Sequence, residues 1–64
     1  MKSYSQVVSE LLPGEMDMAK AEWKKDPATF RQVMTRDLPP RYEGSKDEII
    51  TVLENEFARQ AVNE

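Results

Sequence analysis

The sequence has no cysteine and no histidine among its 64 residues. Without cysteine no disulfide can form, and the thiol nucleophile of many enzymes is missing. Without histidine the commonest general base is absent, and so are the usual zinc ligand sets. These absences predict a protein that is not an enzyme and that has no catalytic residue, no metal site and no cofactor.

Glycine is nearly as scarce, since Gly14 and Gly44 are the only two, and both lie beside predicted turns. They leave no glycine-rich loop that would hold a phosphate group. Three acidic residues near the first turn, Glu10, Glu15 and Asp17, carry oxygen ligands that suit a cation. A solvated acidic turn explains them better, because acidic side chains are favoured at the start of a helix.

Long apolar runs are also absent, and none approaches the ~20 residues of a membrane span. Lys2 is followed by polar Ser3 and Ser5, without the apolar segment of a secretory signal. The sequence therefore predicts a soluble, cytoplasmic protein that does not contact a membrane.

The length predicts one small domain over residues 1–64. A chain of this size buries only about 60% of the surface that it exposes when unfolded. Small domains usually gain stability from disulfides, from a metal or from a partner subunit, and only the last is available to this chain. We therefore expect a homodimer.

Apolar spacing predicts an all-α fold of three or four short helices. The first helix is expected over residues 3–12, with Ser3 as its N-cap and Pro13-Gly14 as its end, where glycine permits the chain to reverse. Its apolar stripe follows the i, i+3, i+4 rule of one helix face and comprises Tyr4, Val7, Val8, Leu11 and Leu12.

The second and third helices are predicted at 15–25 and from Asp26-Pro27 to about Arg36. Aspartate as N-cap followed by proline at the first helical position is a strong start signal. Met18 points nearly opposite to the apolar side of the second helix. It is therefore expected to be exposed or to meet a second apolar surface.

Two prolines within Leu38–Gly44 predict an extended or turning segment. Its Pro39-Pro40-Arg41-Tyr42 sequence resembles the short P-P-x-Y ligand of WW domains. Such ligands usually lie in disordered chain, so a structural role is the favoured interpretation. In that role Tyr42 packs its ring on the core and keeps its hydroxyl in water.

The fourth helix is predicted from Ser45 onward, because Ser45-Lys46-Asp47-Glu48 matches the capping box S-x-x-E before an apolar run. The apolar stripe of this helix comprises Ile49, Ile50, Leu53, Phe57 and Ala61. Val52 lies outside that stripe, and Met18 lies outside the stripe of its own helix. Together they predict a surface patch that a second copy would cover. The expected partner or dimer interface comprises Met18, Trp23, Ile49, Ile50, Val52, Leu53 and Phe57.

These features favour a small regulatory or accessory protein that acts by binding another protein. Met16, Met18 and Met34 with Trp23 indicate an apolar groove for a partner helix, since methionine adapts to irregular surfaces. The size and the missing catalytic chemistry suit the accessory proteins that phage and plasmid genomes encode.

The alternative is a DNA-binding regulator that uses residues 15–36 as a helix-turn-helix. Five of the nine basic residues lie within 24–42. However, placing the apolar residues inside puts Lys20 where the two helices would cross, and the acidic overall charge weakens binding to phosphates. We expect Arg31, Gln32 and Arg36 to face solvent. The alternative nucleic-acid contacts are Lys24, Lys25, Thr29, Arg31, Gln32 and Arg36.

Overall fold

Four α-helices form most of the chain in a computed structural model, which describes residues 2–63. They are α1 (Tyr4–Glu10), α2 (Pro13–Lys25), α3 (Phe30–Asp37) and α4 (Lys46–Val62). Single 3₁₀ turns, Pro27–Thr29 and Pro40–Tyr42, precede α3 and α4. The predicted all-α class is confirmed, and the described residues contain no strand. Across the same residues, no helix combines the length and apolar character that a membrane crossing needs.

The N-cap of α1 is the predicted one. The Ser3 hydroxyl accepts a hydrogen bond from the Gln6 amide at 3.2 Å, and the Gln6 side chain accepts one from the Ser3 amide at 2.9 Å. This reciprocal pair satisfies two amides that the first helical turn leaves free.

The break after α1 differs from the prediction. The helix already ends at Glu10, and Leu11 and Leu12 are extended. Pro13-Gly14 begins α2 instead of only ending α1, because proline has no amide hydrogen to lose at the first helical position. The glycine that reverses the chain is Gly44, at φ +94°.

The start signal before α3 is confirmed, although the first turn has 3₁₀ geometry. The carboxylate of Asp26 accepts a hydrogen bond from the Ala28 amide at 3.1 Å. The α-helix proper begins at Phe30. The joint between α2 and α3 is therefore short, and a hydrogen bond from its own backbone to the Asp26 side chain holds it.

The fourth helix lacks the predicted capping box. The Ser45 hydroxyl donates to the carbonyl oxygen of Tyr42 at 3.1 Å and makes no capping bond to α4. At φ −124° and ψ 3°, Ser45 is outside the extended region that an N-cap side chain normally needs. The turn at Gly44 has thus turned this hydroxyl back toward the preceding segment.

Helix α4 lies against α1, α2 and α3, and this arrangement forms the core. Because several neighbours surround α4, the buried part of its surface is wider than the predicted stripe. Val52 is only 8% exposed, whereas Ala61 near the helix end is exposed. The buried core residues are Val7, Leu11, Met16, Ala19, Phe30, Met34, Leu38, Tyr42, Ile49, Ile50, Val52, Leu53 and Phe57.

Candidate protein-binding surface

An open groove of about 460 Å³ lies between α2 and the end of α4. Its apolar part includes Trp23, Phe57 and Ala61, and Lys20 and Lys24 are its two basic residues. Pro27 and Gln60 complete the lining. We call this surface the α2–α4 groove.

Trp23 is the aromatic anchor of the groove. Its ring packs edge-on against Phe30, with 5.5 Å between the ring centroids, and lies 6.0 Å from the ring of Phe57. These buried rings fix the indole, yet Trp23 itself is only half-buried. The groove therefore presents part of a fixed indole ring to solvent.

The two lysines of the groove differ from the arginines of the chain. Lys20 and Lys24 are exposed, and neither forms an ion pair within residues 2–63. Each arginine pairs with at least one carboxylate, and these are Arg31, Arg36, Arg41 and Arg59. The groove is consequently a local site of uncompensated positive charge on a chain of net charge −3.

A second open groove, of about 380 Å³, lies where α1 meets α2. Val8 lines this groove and is 39% exposed, and Leu12, which is adjacent in sequence to the lining residues Leu11 and Pro13, is 54% exposed. We call this surface the corner patch. It comprises Tyr4, Val8, Leu11, Leu12, Pro13 and Met16.

Most of the predicted interface on α4 lies inside one copy of the chain. Ile49, Ile50 and Leu53 are fully buried in the core. Val52 is buried as well, so the prediction that it lies outside the core is wrong, because α4 has neighbours on several sides. These side chains could reach a second copy only if the fold opened.

The other three predicted interface residues have different positions. Met18 is half-buried and packs against the core, so it does not form an isolated patch. Trp23 and Phe57 both line the α2–α4 groove, and Trp23 has the larger exposed surface. Of the lysines beside them, Lys24 was predicted only as a nucleic-acid contact, and Lys20 was not predicted as a site residue.

The alternative nucleic-acid contacts are only partly available. Lys24, Lys25, Gln32 and Arg36 are exposed, as predicted for the last two, and Thr29 is half-buried. Arg36 is paired with its neighbour Asp37 at 2.9 Å. Lys24 and Lys25 thus have no carboxylate partner within residues 2–63, and Gln32 is an exposed neutral side chain.

The side chain of Arg31 does not project freely from α3, because it binds residues of α4. Its guanidinium lies 2.6 Å from Glu54, 2.6 Å from Asp47 and 2.6 Å from the hydroxyl of Thr51. The hydrogen bond to Glu54 raises the pKa of Arg31 above its ordinary value. Its side chain is still 40% exposed, but two carboxylates already neutralise the charge that would meet a phosphate.

Tyr42 joins the Pro-Pro segment to the start of α2. Its hydroxyl donates to Glu15 Oε1 at 2.6 Å and accepts a hydrogen bond from Arg41 at 2.9 Å. The prediction that the hydroxyl is in water is therefore wrong, because the carboxylate of Glu15 takes that place. A tyrosine that is 7% exposed also leaves the P-P-x-Y sequence unable to bind as an extended ligand in this fold.

Glu15 accepts several hydrogen bonds at once. Partial burial pushes its pKa up, but the bonds from Tyr42 and from the Leu12 amide, with the charge of Arg41, lower the pKa overall. The carboxylate of Glu15 therefore already has several hydrogen-bond donors.

Across residues 2–63, no group of three or more acidic side chains has an arrangement that could hold a metal ion.

No family model, no curated protein and no solved structure matches this chain. The α2–α4 groove and the corner patch therefore carry the functional inference.

Proposed function

We propose that the chain is a small cytoplasmic, non-enzymatic regulatory or accessory protein that binds another protein in the α2–α4 groove. One observation carries the proposal, namely a fixed and partly exposed Trp23 beside two lysines that lack an ion-pair partner within residues 2–63. The absence of cysteine suits the reducing cytoplasm. The small size fits the accessory proteins of phage and plasmid genomes.

The chemistry of the groove matches that of protein interfaces. Interface hot spots are enriched in tryptophan, which supplies a large apolar contact area from a side chain with few rotatable bonds. Trp23 is braced by two buried phenylalanine rings, so a partner would not have to order it on binding. A partner side chain laid on the indole would thus gain burial at little entropic cost.

Site-specific photocross-linking tests this proposal. A benzophenone amino acid is placed at Ala61, which is exposed and lines the α2–α4 groove, in cells that produce the protein. The control is Asn55, an exposed residue on another side of the same helix that does not line the groove. We expect a discrete protein adduct from Ala61 and a much weaker one from Asn55.

The comparison between the two positions gives the experiment its meaning. Equal adducts from Ala61 and Asn55 would indicate non-specific contact. No adduct from Ala61 would contradict the α2–α4 groove as the surface that binds a partner.

The homodimer also remains a proposal, with the corner patch as its surface. Exposed Val8 and Leu12 lie beside an open groove, and a two-fold dimer would let Leu12 of each copy cover the patch of the other. Sedimentation equilibrium at micromolar concentration tests this directly. A chain that stays at 7.4 kDa across the concentration range would refute the dimer.

DNA binding is the second candidate, supported by the exposure of Lys24, Lys25 and Gln32. Basic side chains bind phosphates with an affinity that falls steeply with salt. Fluorescence anisotropy with mixed duplex DNA at two salt concentrations tests it. Weak binding without a salt slope would remove this candidate.

A further inference from the structure

We propose that the segment bound in the α2–α4 groove is an acidic amphipathic helix of a different protein. This inference rests on the proposed function and adds the chemistry of the partner. Three observations support it: the spacing of the two lysines, the position of the groove between two helices, and the partners that the acidic residues of α4 already have.

The lysines specify the charge of the partner. Lys20 and Lys24 are four residues apart on α2, so they lie on the same side of the helix, one turn from each other. Both line the groove, both are exposed, and neither has a carboxylate at ion-pair distance within residues 2–63. Two carboxylates one turn apart on a partner helix would match this spacing.

The shape of the groove favours a helical segment. Its walls are α2 and the last turns of α4, and a groove between two helices accepts a third by the same packing that forms helix bundles. One large apolar side chain of the partner would lie on Trp23. Exposed Ala61, with its short side chain, leaves room for the backbone of the partner beside α4.

A second copy of this chain is a poorer occupant. All four acidic residues of its α4 already have partners, since Asp47 and Glu54 pair with Arg31, Glu56 pairs with Arg59, and Glu48 accepts a hydrogen bond from the Lys2 amide. The large apolar side chains of α4 are buried except for Val62 near its end. The acidic helix of one copy therefore has little free surface with which to fill the groove of another.

A displayed peptide library tests the charge of the partner. Each peptide is an amphipathic helix with a fixed apolar stripe, and its flanking positions are randomised among Glu, Gln and Lys. The full chain is the bait, in three forms: parent, Lys24→Glu and Lys25→Glu. Lys25 is the matched control, because it is exposed on the same helix and carries the same charge, yet it does not line the groove.

Enriched peptides are then titrated against each bait, with the emission of Trp23 as the readout. Trp23 is the single tryptophan of the chain, so its emission reports on the groove directly. We expect glutamate-rich peptides from the parent and from Lys25→Glu. With Lys24→Glu, we expect their affinity to fall about threefold to tenfold.

The outcomes separate the two proposals. Peptides that change the Trp23 emission but carry lysine or glutamine as often as glutamate would overturn the acidic partner and leave the groove as a binding surface. The same conclusion follows if Lys24→Glu and Lys25→Glu weaken binding equally. Failure of every enriched peptide to change the Trp23 emission would overturn both the acidic helix and the proposed function.

Discussion

The hydroxyl of Tyr42 lies 2.6 Å from Oε1 of Glu15, although the two residues are 27 positions apart in the sequence. Arg41 binds the second oxygen of the same carboxylate at 2.6 Å. The bond joins the 3₁₀ turn before α4 to the first turn of α2. One carboxylate therefore fixes the Pro-Pro segment to the rest of the fold.

Tyr42→Phe is expected to lower the free energy of unfolding by about 1–2 kcal/mol, because it removes a partly buried hydrogen bond to a charged group. Tyr4→Phe is the control, since the Tyr4 hydroxyl makes no hydrogen bond within residues 2–63. Urea unfolding monitored by circular dichroism measures both variants. Equal losses in the two variants would contradict the role assigned to the Tyr42 hydroxyl.

The same carboxylate predicts a loss of stability in acid. The pKa of Glu15 is lower in the folded chain than its ordinary value of 4.5, so its contribution is complete above that pH and is lost as the pH falls through the folded-state pKa. Glu15→Gln should therefore remove part of the decline in stability below about pH 4.5. Urea titrations from neutral pH downward compare the two chains. Parallel curves would show that Glu15 makes no such contribution.

The two serines that precede helices are expected to differ. Ser3→Ala should cost about 1 kcal/mol, because Ser3 and Gln6 form a reciprocal cap on α1. Ser45→Ala should cost less than about 0.5 kcal/mol, since Ser45 makes no cap and the Tyr42 carbonyl still accepts the Ser45 amide at 2.9 Å. Thermal melts of both variants decide it. A larger loss of stability for Ser45→Ala than for Ser3→Ala would instead indicate that Ser45 caps α4.

Leu53→Asp is expected to unfold the chain. Leu53 is fully buried, and a Leu→Ala change at such a site already costs about 2–5 kcal/mol before any charge is buried. The single core of a domain this small contributes only about 3–5 kcal/mol to the free energy of unfolding. Far-ultraviolet circular dichroism should show loss of helix, and a folded Leu53→Asp chain would contradict this packing of α4.

Leu12→Asp is the matched change at an exposed leucine. The fold should survive, because no buried contact is lost. If the parent is a dimer through the corner patch, sedimentation equilibrium of Leu12→Asp should give a monomer. A folded variant that still dimerises would exclude the corner patch as the interface.

Local signals in the sequence predicted much of the fold. Proline, aspartate and serine near helix starts marked α1 and α3, and the predicted apolar stripe of α1 supplies Val7 and Leu11 to the core. These signals act over one or two helical turns, so they can be read without knowledge of the tertiary structure. The periodicity of a helix also placed Gln32 and Arg36 of α3 toward solvent, and both are exposed.

The remaining errors concern long-range packing. Val52 was placed outside the core because a helix wheel assumes one apolar face, whereas α4 has three neighbouring helices. The acceptor of the Tyr42 hydroxyl lies 27 residues away, which no local pattern reveals. The capping box at Ser45 matched by sequence, but the turn at Gly44 set a backbone geometry that directs the hydroxyl elsewhere.

The candidate site divides in the same way. Trp23 was predicted as an interface residue because it was grouped with Met16, Met18 and Met34 as an adaptable apolar surface. That Lys20 and Lys24 form no ion pair within residues 2–63 could not be predicted, because it depends on which basic residues find a carboxylate in the folded chain. Charge counts along the sequence do not contain that information.

The most direct test of the central claim compares two signals in one titration. A labelled peptide that binds the full chain is followed by its own anisotropy and by the emission of Trp23. We predict that both signals saturate at the same concentration, with the Trp23 emission shifted to shorter wavelength as the groove is covered. An anisotropy change that saturates while the Trp23 emission stays constant would place binding elsewhere and contradict the α2–α4 groove.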